Sequence, residues 1–136
     1  MAMTDLAAWL LDAIAEDERV AQAATPGPWR YDPSKVNSVD GGEAVFAGPR
    51  GLSATTVASV GPCDDPQSMS DGRHIARWDP ARVLAECAAK RRIVEEAEHY
   101  WAHAAEYASV ATYRHVLRIL ALPYADRPGY LPEWTS

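Results

Sequence analysis

Apolar positions recur at helical spacing in two stretches of this chain. In the first, Leu6, Leu10, Ala13, Ile14, Ala21 and Ala24 form one stripe, which predicts an N-terminal helix over 1–24 with Asp12, Glu16, Asp17, Glu18 and Arg19 turned to water. In the second, Val83, Cys87, Val94, Ala97, Trp101, Val116, Ile119 and Leu120 keep the same period, with Ala104, Ala105 and Ala108 as a small-residue seam. This predicts a long helix over 79–122. Asp79 before Pro80 is a strong start, because the carboxylate can accept orphan amide hydrogens while proline occupies a position that needs no donor. Neither Pro nor Gly interrupts the run from there to Pro123. A straight helix of that length would reach roughly 60 Å at about 1.5 Å per residue. It is therefore expected either to bend near 107–112 or to project and pair with another chain.

Between the two stripes the pattern changes. Thr25-Pro26-Gly27-Pro28 stops the first helix, since proline cannot continue it and biases the preceding residue towards extended geometry. Short strands are expected at 29–31, 43–46 and 54–60, separated by turn formers, giving a small antiparallel meander over 29–60. Gly48-Pro49-Arg50-Gly51 can close a hairpin, and Asp40-Gly41-Gly42 can make a tight turn or a loop. The Pro, Asp, Ser and Gly of 61–72 read as a flexible linker, and 123–136 as an extended tail folding back. The expected architecture is a single α+β domain over 1–136, two helices packed with a small antiparallel sheet.

Composition narrows the class of protein. The 136 residues, 48% of them hydrophobic, suit one domain with a real core. No apolar run is long enough to span a membrane and no secretory leader opens the chain, so a cytoplasmic setting is expected. The two cysteines, Cys63 in the linker and Cys87 on the second stripe, do not suggest a disulfide framework. A formal net charge of −6 argues against a broad nonspecific nucleic-acid surface.

Charge is nevertheless uneven. Arg73, Arg77, Arg82, Lys90, Arg91 and Arg92 gather around the start of the long helix, ahead of Glu95, Glu96, Glu98 and Glu106. The ordinary reading is a solvated helix face with i, i+4 pairs; the sharper one is an anion or phosphate site built from these cations and the amides after Asp79. His99 and His103 stand one turn apart and would share a helix face. They lack the glutamate that follows the first histidine in metalloprotease helices, and no third ligand is evident, so no metal is assigned. No phosphate-binding glycine loop or nucleophile elbow is present, so no catalytic residues and no cofactor are assigned. Aromatic residues fall at the ends of elements, where they anchor the tail and sheet or serve an interface. The interface candidates are Trp78, Tyr124 and Trp134 together with Trp101, Ala104, Ala105 and Ala108.

Several segments carry a resemblance. Gly27-Pro28-Trp29, His74-Ile75-Ala76-Arg77-Trp78-Asp79-Pro80-Ala81-Arg82-Val83-Leu84, Lys90-Arg91-Arg92-Ile93 and Leu120-Ala121-Leu122-Pro123-Tyr124-Ala125-Asp126-Arg127-Pro128-Gly129-Tyr130, followed by Glu133-Trp134, resemble the domain-of-unknown-function 6221 family of actinobacteria and their phages. Many relatives carry a cysteine cluster, suggestive of zinc, between the last two of these segments. Here that interval holds no cysteine, and the resemblance carries over no metal site. It implies an intracellular accessory protein and supplies no catalytic residue.

The expected function is that of a non-enzymatic interaction protein, phage-encoded if the resemblance extends that far, binding a protein partner or a second copy of itself. The alternative is a nucleic-acid or phosphate-ligand binder using the six cations, whose binding would weaken with salt.

Overall fold

A computed structural model describes residues 3–33, 42–103 and 107–135. Four helices are present among them: α1 (Met3–Ala23), α2 (Pro66–Arg77), α3 (Pro80–His103) and α4 (Tyr107–Ala121). Three strands, β1 (Arg30–Tyr31), β2 (Glu43–Ala47) and β3 (Thr55–Gly61), form an antiparallel sheet in the order β1-β2-β3. Short 3-10 turns lie at Gly51–Ser53, Leu122–Tyr124 and Pro132–Thr135. The α+β class and the meander match the hydrophobic pattern.

By its contacts the chain divides into two compact units, one of Met1–Glu18 with Glu86–Ser136 and the other of Arg19–Ala85. In the first, α1 buries Leu6, Leu10, Ala13 and Ile14, the stripe expected of it. Cys87, Val94 and Ala97 are buried on the part of α3 in this unit, and Leu117 and Ala121 on α4. Each fully buried Leu, Ile or Val contributes about 1.5–3 kcal/mol relative to exposure. The tail is tied by aromatics: Trp134 packs on Trp9, with ring centroids 5.2 Å apart, and the Trp9 indole donates to the Pro128 carbonyl at 3.0 Å. Gly129, at φ +86°, allows this approach, since a β-carbon there would meet the Trp9 indole nitrogen at 3.0 Å.

The long helix does not run straight. Tyr100 stacks on Tyr113 with centroids 4.9 Å apart, and Arg114 lies over the Trp101 ring. Residues thirteen apart in a straight helix would be about 20 Å apart. α3 and α4 are therefore two helices whose ends pack on each other rather than one straight helix. The second helix has its own phase: Leu117 is buried, whereas Ile119, assigned to the buried stripe from sequence, is half exposed.

In the second unit β2 is the central strand, and Val45, Phe46 and Ala47 are all buried. Arg30 pairs with Phe46 and Tyr31 with Val45; β3 runs antiparallel on the other side, with register irregularities at Glu43/Ala44 and Val45/Phe46. The segment read as a linker, 61–72, instead contains most of α2. Asp65-Pro66 is the same start signal as Asp79-Pro80: the Asp65 carboxylate accepts from the Ser68 amide at 2.9 Å and Pro66 opens the helix. The polar composition of Pro66–Asp71 concealed it. The Asp40-Gly41 part of the first loop lies outside the described residues.

Candidate functional site

Two polar junctions hold segments that are distant in sequence, one in each unit. In the Arg19–Ala85 unit, Glu43 begins β2 and is 1% exposed. Its Oε2 accepts from the Tyr31 hydroxyl at 2.8 Å, and its Oε1 accepts from the Asp64 amide at 2.9 Å. A buried carboxylate requires such donors, because removing it from water without them costs several kcal/mol. Tyr31 is held from two further directions. The Arg73 guanidinium lies over its ring at 5.2 Å, and Gly72 of α2 sits so close that a β-carbon there would be 2.7 Å from the ring. Gly61, at φ +145°, allows the end of β3 to pass Ser68, a buried residue of α2 whose hydroxyl donates to Asp65 at 2.6 Å. These bonds from Ser68 hold the Asp65 carboxyl below the usual carboxylate range.

Glu43, Cys63 and Asp64 bring potential metal-donor atoms within 4.8 Å of one another. Both Glu43 oxygens already accept hydrogen bonds, and the Cys63 thiol is placed to donate to the Asp64 carboxylate at 3.5 Å. The arrangement serves first as the joint between β1, β2 and the turn after β3.

In the other unit the Tyr124 hydroxyl donates to Asp17 Oδ2 at 2.9 Å and accepts from Lys90 Nζ at 3.1 Å. Burial, then the bond to Asp17, pushes the phenol well above its ordinary range. Beside it Arg91 makes a forked pair with Glu18, donating to Oε1 at 3.2 Å and to Oε2 at 2.9 Å. Burial, reinforced by Asp17, pushes the Cys87 thiol up, and the residue is 1% exposed. Asp17 and Glu18, read from sequence as facing water, are thus bonding residues of the core margin.

The six cations of the basic cluster fall into different settings. Arg73 covers Tyr31, Arg82 lies 4.5 Å over the Trp78 ring, Lys90 meets Tyr124 and Arg91 meets Glu18. Arg77 is exposed at the end of α2, and Arg92 lines a shallow cavity of about 370 Å³ with Glu95, Glu96 and His99. At the start of α3, Asp79 itself occupies the amides, accepting from Arg82 at 3.0 Å and from Trp29 at 3.3 Å. Gly27 is needed beside it, because a β-carbon there would lie 2.7 Å from the Asp79 carboxylate.

His99 and His103 do share a face, with ring centroids 4.4 Å apart, and His103 Nδ1 lies 2.8 Å from the His99 carbonyl oxygen. Among the described residues neither belongs to a group with metal-donor spacing. Of the aromatic interface candidates, Trp78 is 41% exposed, Trp101 partly covered, and Tyr124 and Trp134 are buried as anchors. Ala104 and Ala105 lie outside the described residues, as does the side chain of Ala108.

Sequence reasoning missed Glu43, Asp17 and Tyr31 as structural centres. The available signal was a lone acid opening an apolar strand, Glu43 ahead of Ala44-Val45-Phe46-Ala47.

Two of the segments that carry the resemblance bind two others. Gly27-Pro28-Trp29 meets Asp79 of the Trp-Asp-Pro segment, and Lys90 of Lys-Arg-Arg-Ile meets Tyr124 of Leu-Pro-Tyr-Ala-Asp. The fold and these junctions define an α+β protein whose characteristic polar residues join its own segments. The chain belongs to the family of unknown function DUF6221, whose model matches residues 3–136. No curated protein and no solved structure matches it. No helix among the described residues is long and apolar enough to cross a membrane.

Proposed function

We propose that this protein is a non-enzymatic accessory protein that works in the cytoplasm by binding another protein. The observation that carries the reading is at the end of α4. Leu117 and Ala121 are buried there, while Ile119 and, three residues on, Leu122 are 51% and 45% exposed. A helix end that is apolar on both its inner and its outer side is built for cover on both. The same side of the helix continues through the exposed, polar His115 and Thr112, so the apolar part of this face is the pair Ile119 and Leu122. A bacterial or phage setting, implied by the resemblance, suits a small accessory factor acting on a cellular process. The basic cluster supports a phosphate-ligand reading less well, since four of its six cations engage their own chain.

The test is co-purification of the tagged chain from an actinobacterial cell, beside the Ile119→Glu/Leu122→Glu variant with unchanged circular dichroism. A partner retained by the wild type and lost by the variant supports the proposal. Identical recoveries, or none, overturn it.

A further inference from the structure

The end of α3 carries two side chains that neither polar junction uses. His99 and His103 are exposed, stand one helical turn apart and hold their ring centroids 4.4 Å from each other. Side chains of a helix lean towards its N-terminus, which brings His103 back over His99. There its Nδ1 lies 2.8 Å from the His99 carbonyl oxygen. A carbonyl oxygen only accepts, so Nδ1 carries the hydrogen and the lone pair of the neutral ring is left on Nε2. Metal-binding histidines are held in this way: one ring nitrogen donates to a backbone carbonyl or a carboxylate, which fixes the tautomer and orients the other towards the ion.

We infer that His99 and His103 form a two-imidazole chelate for one divalent transition-metal ion of the Ni2+, Cu2+ and Zn2+ group, the ions that favour imidazole. This goes beyond the partner reading above and uses neither Ile119 nor Leu122. An ion about 2.0–2.1 Å from one nitrogen of each ring, with its two bonds about 90° apart, holds the ring centroids about 4.5 Å apart. The observed separation of 4.4 Å therefore fits two neighbouring coordination positions without movement of the helix. Charge favours a cation here. Glu95 and Glu96 line a shallow cavity with His99 and Arg92, and two carboxylates against one guanidinium leave negative charge beside the ring. α3 ends at His103, so the pair lies in its last turns, where the negative end of the helix dipole attracts a cation. Among the described residues no third donor stands at ligand spacing from the pair, so water completes the coordination. Ca2+ and Mg2+, which take oxygen ligands, are not expected to bind.

The test is calorimetric titration of the full chain with Ni2+ in a Cys63→Ser background, which removes the exposed thiol as a competing donor. One ion per chain is expected. His99→Ala and His103→Ala should each lower the affinity by about tenfold or more, with unchanged circular dichroism because both positions are exposed. The double variant should be little worse than either single one, since losing one imidazole already abolishes the chelate. His74→Ala and His115→Ala, which replace the other two histidines, should leave the affinity unchanged. With Cu2+ in place of Ni2+, electron paramagnetic resonance should show two equatorial nitrogen ligands, and fewer in either single variant. Failure to bind Ni2+, or binding as tight in His99→Ala or His103→Ala as in the parent, overturns the inference. So does a stoichiometry of two ions with additive losses, which makes each histidine a separate ligand. The titration contains no partner protein, so this proposal and the one resting on Ile119 and Leu122 fail separately.

Discussion

The Tyr124 hydroxyl donates to Asp17 at 2.9 Å, joining residues 107 positions apart. It also accepts from Lys90, so one phenol on a 3-10 turn connects the tail to both α1 and α3. Such a three-way bond makes the closing of the tail part of the core rather than an addition to it.

Replacing Tyr124 with Phe should therefore cost about 1–2 kcal/mol in chemical denaturation at neutral pH, leaving Asp17 and Lys90 to find other partners. The effect has a pH signature. The folded phenol titrates above its ordinary value of 10.0, so the stability it contributes is fully present below pH 10 and is lost as pH rises through the folded value. The gap between wild type and Tyr124→Phe should narrow above pH 10. A gap constant from neutral to strongly alkaline pH would contradict this assignment.

Glu43 should be among the least replaceable polar residues. Glu43→Ala removes the acceptor of the Tyr31 hydroxyl and the Asp64 amide, and should destabilise by about 3 kcal/mol. Tyr31→Phe, which removes only one donor, should cost about 1 kcal/mol. Urea unfolding of both variants checks the order.

Gly72 lies within α2, where alanine would ordinarily be preferred by about 1 kcal/mol. Here the added methyl meets the Tyr31 ring at 2.7 Å, so Gly72→Ala should lower stability by about 1–2 kcal/mol instead. Gly72→Ala combined with Tyr31→Ala should show strong non-additivity, since the clash has been removed.

The two thiols should separate cleanly. Cys63 is exposed and Cys87 buried with its thiol pushed up, so a thiol-reactive dye should label one cysteine in the folded protein and two in denaturant. Rapid labelling of Cys87 in native buffer would show that the α1–α3 packing around it opens readily.

Periodicity was a reliable guide where one face of one element met one core. The α1 stripe, the three strands and the start of α3 at Asp79-Pro80 are all legible because each depends on residues within a few positions of one another. The same local logic would have revealed α2, since Asp65-Pro66 repeats the Asp79-Pro80 signal, but the polar Gln-Ser-Met-Ser-Asp-Gly run outweighed it.

What the sequence by itself determined is the α1 stripe, the three strands and the Asp79-Pro80 start of α3, because capping and amphipathicity are short-range effects. Tertiary structure alone decided that the second helical run is two helices packed at their ends and hence that Leu117 faces inward and Ile119 outward. It alone decided which acids are partnered: Asp17 by Tyr124, Glu18 by Arg91 and Glu43 by Tyr31. A carboxylate on a helix or strand reads the same from its neighbours whether it meets water or a donor brought from a hundred residues away. The difference lies in the desolvation that only packing imposes.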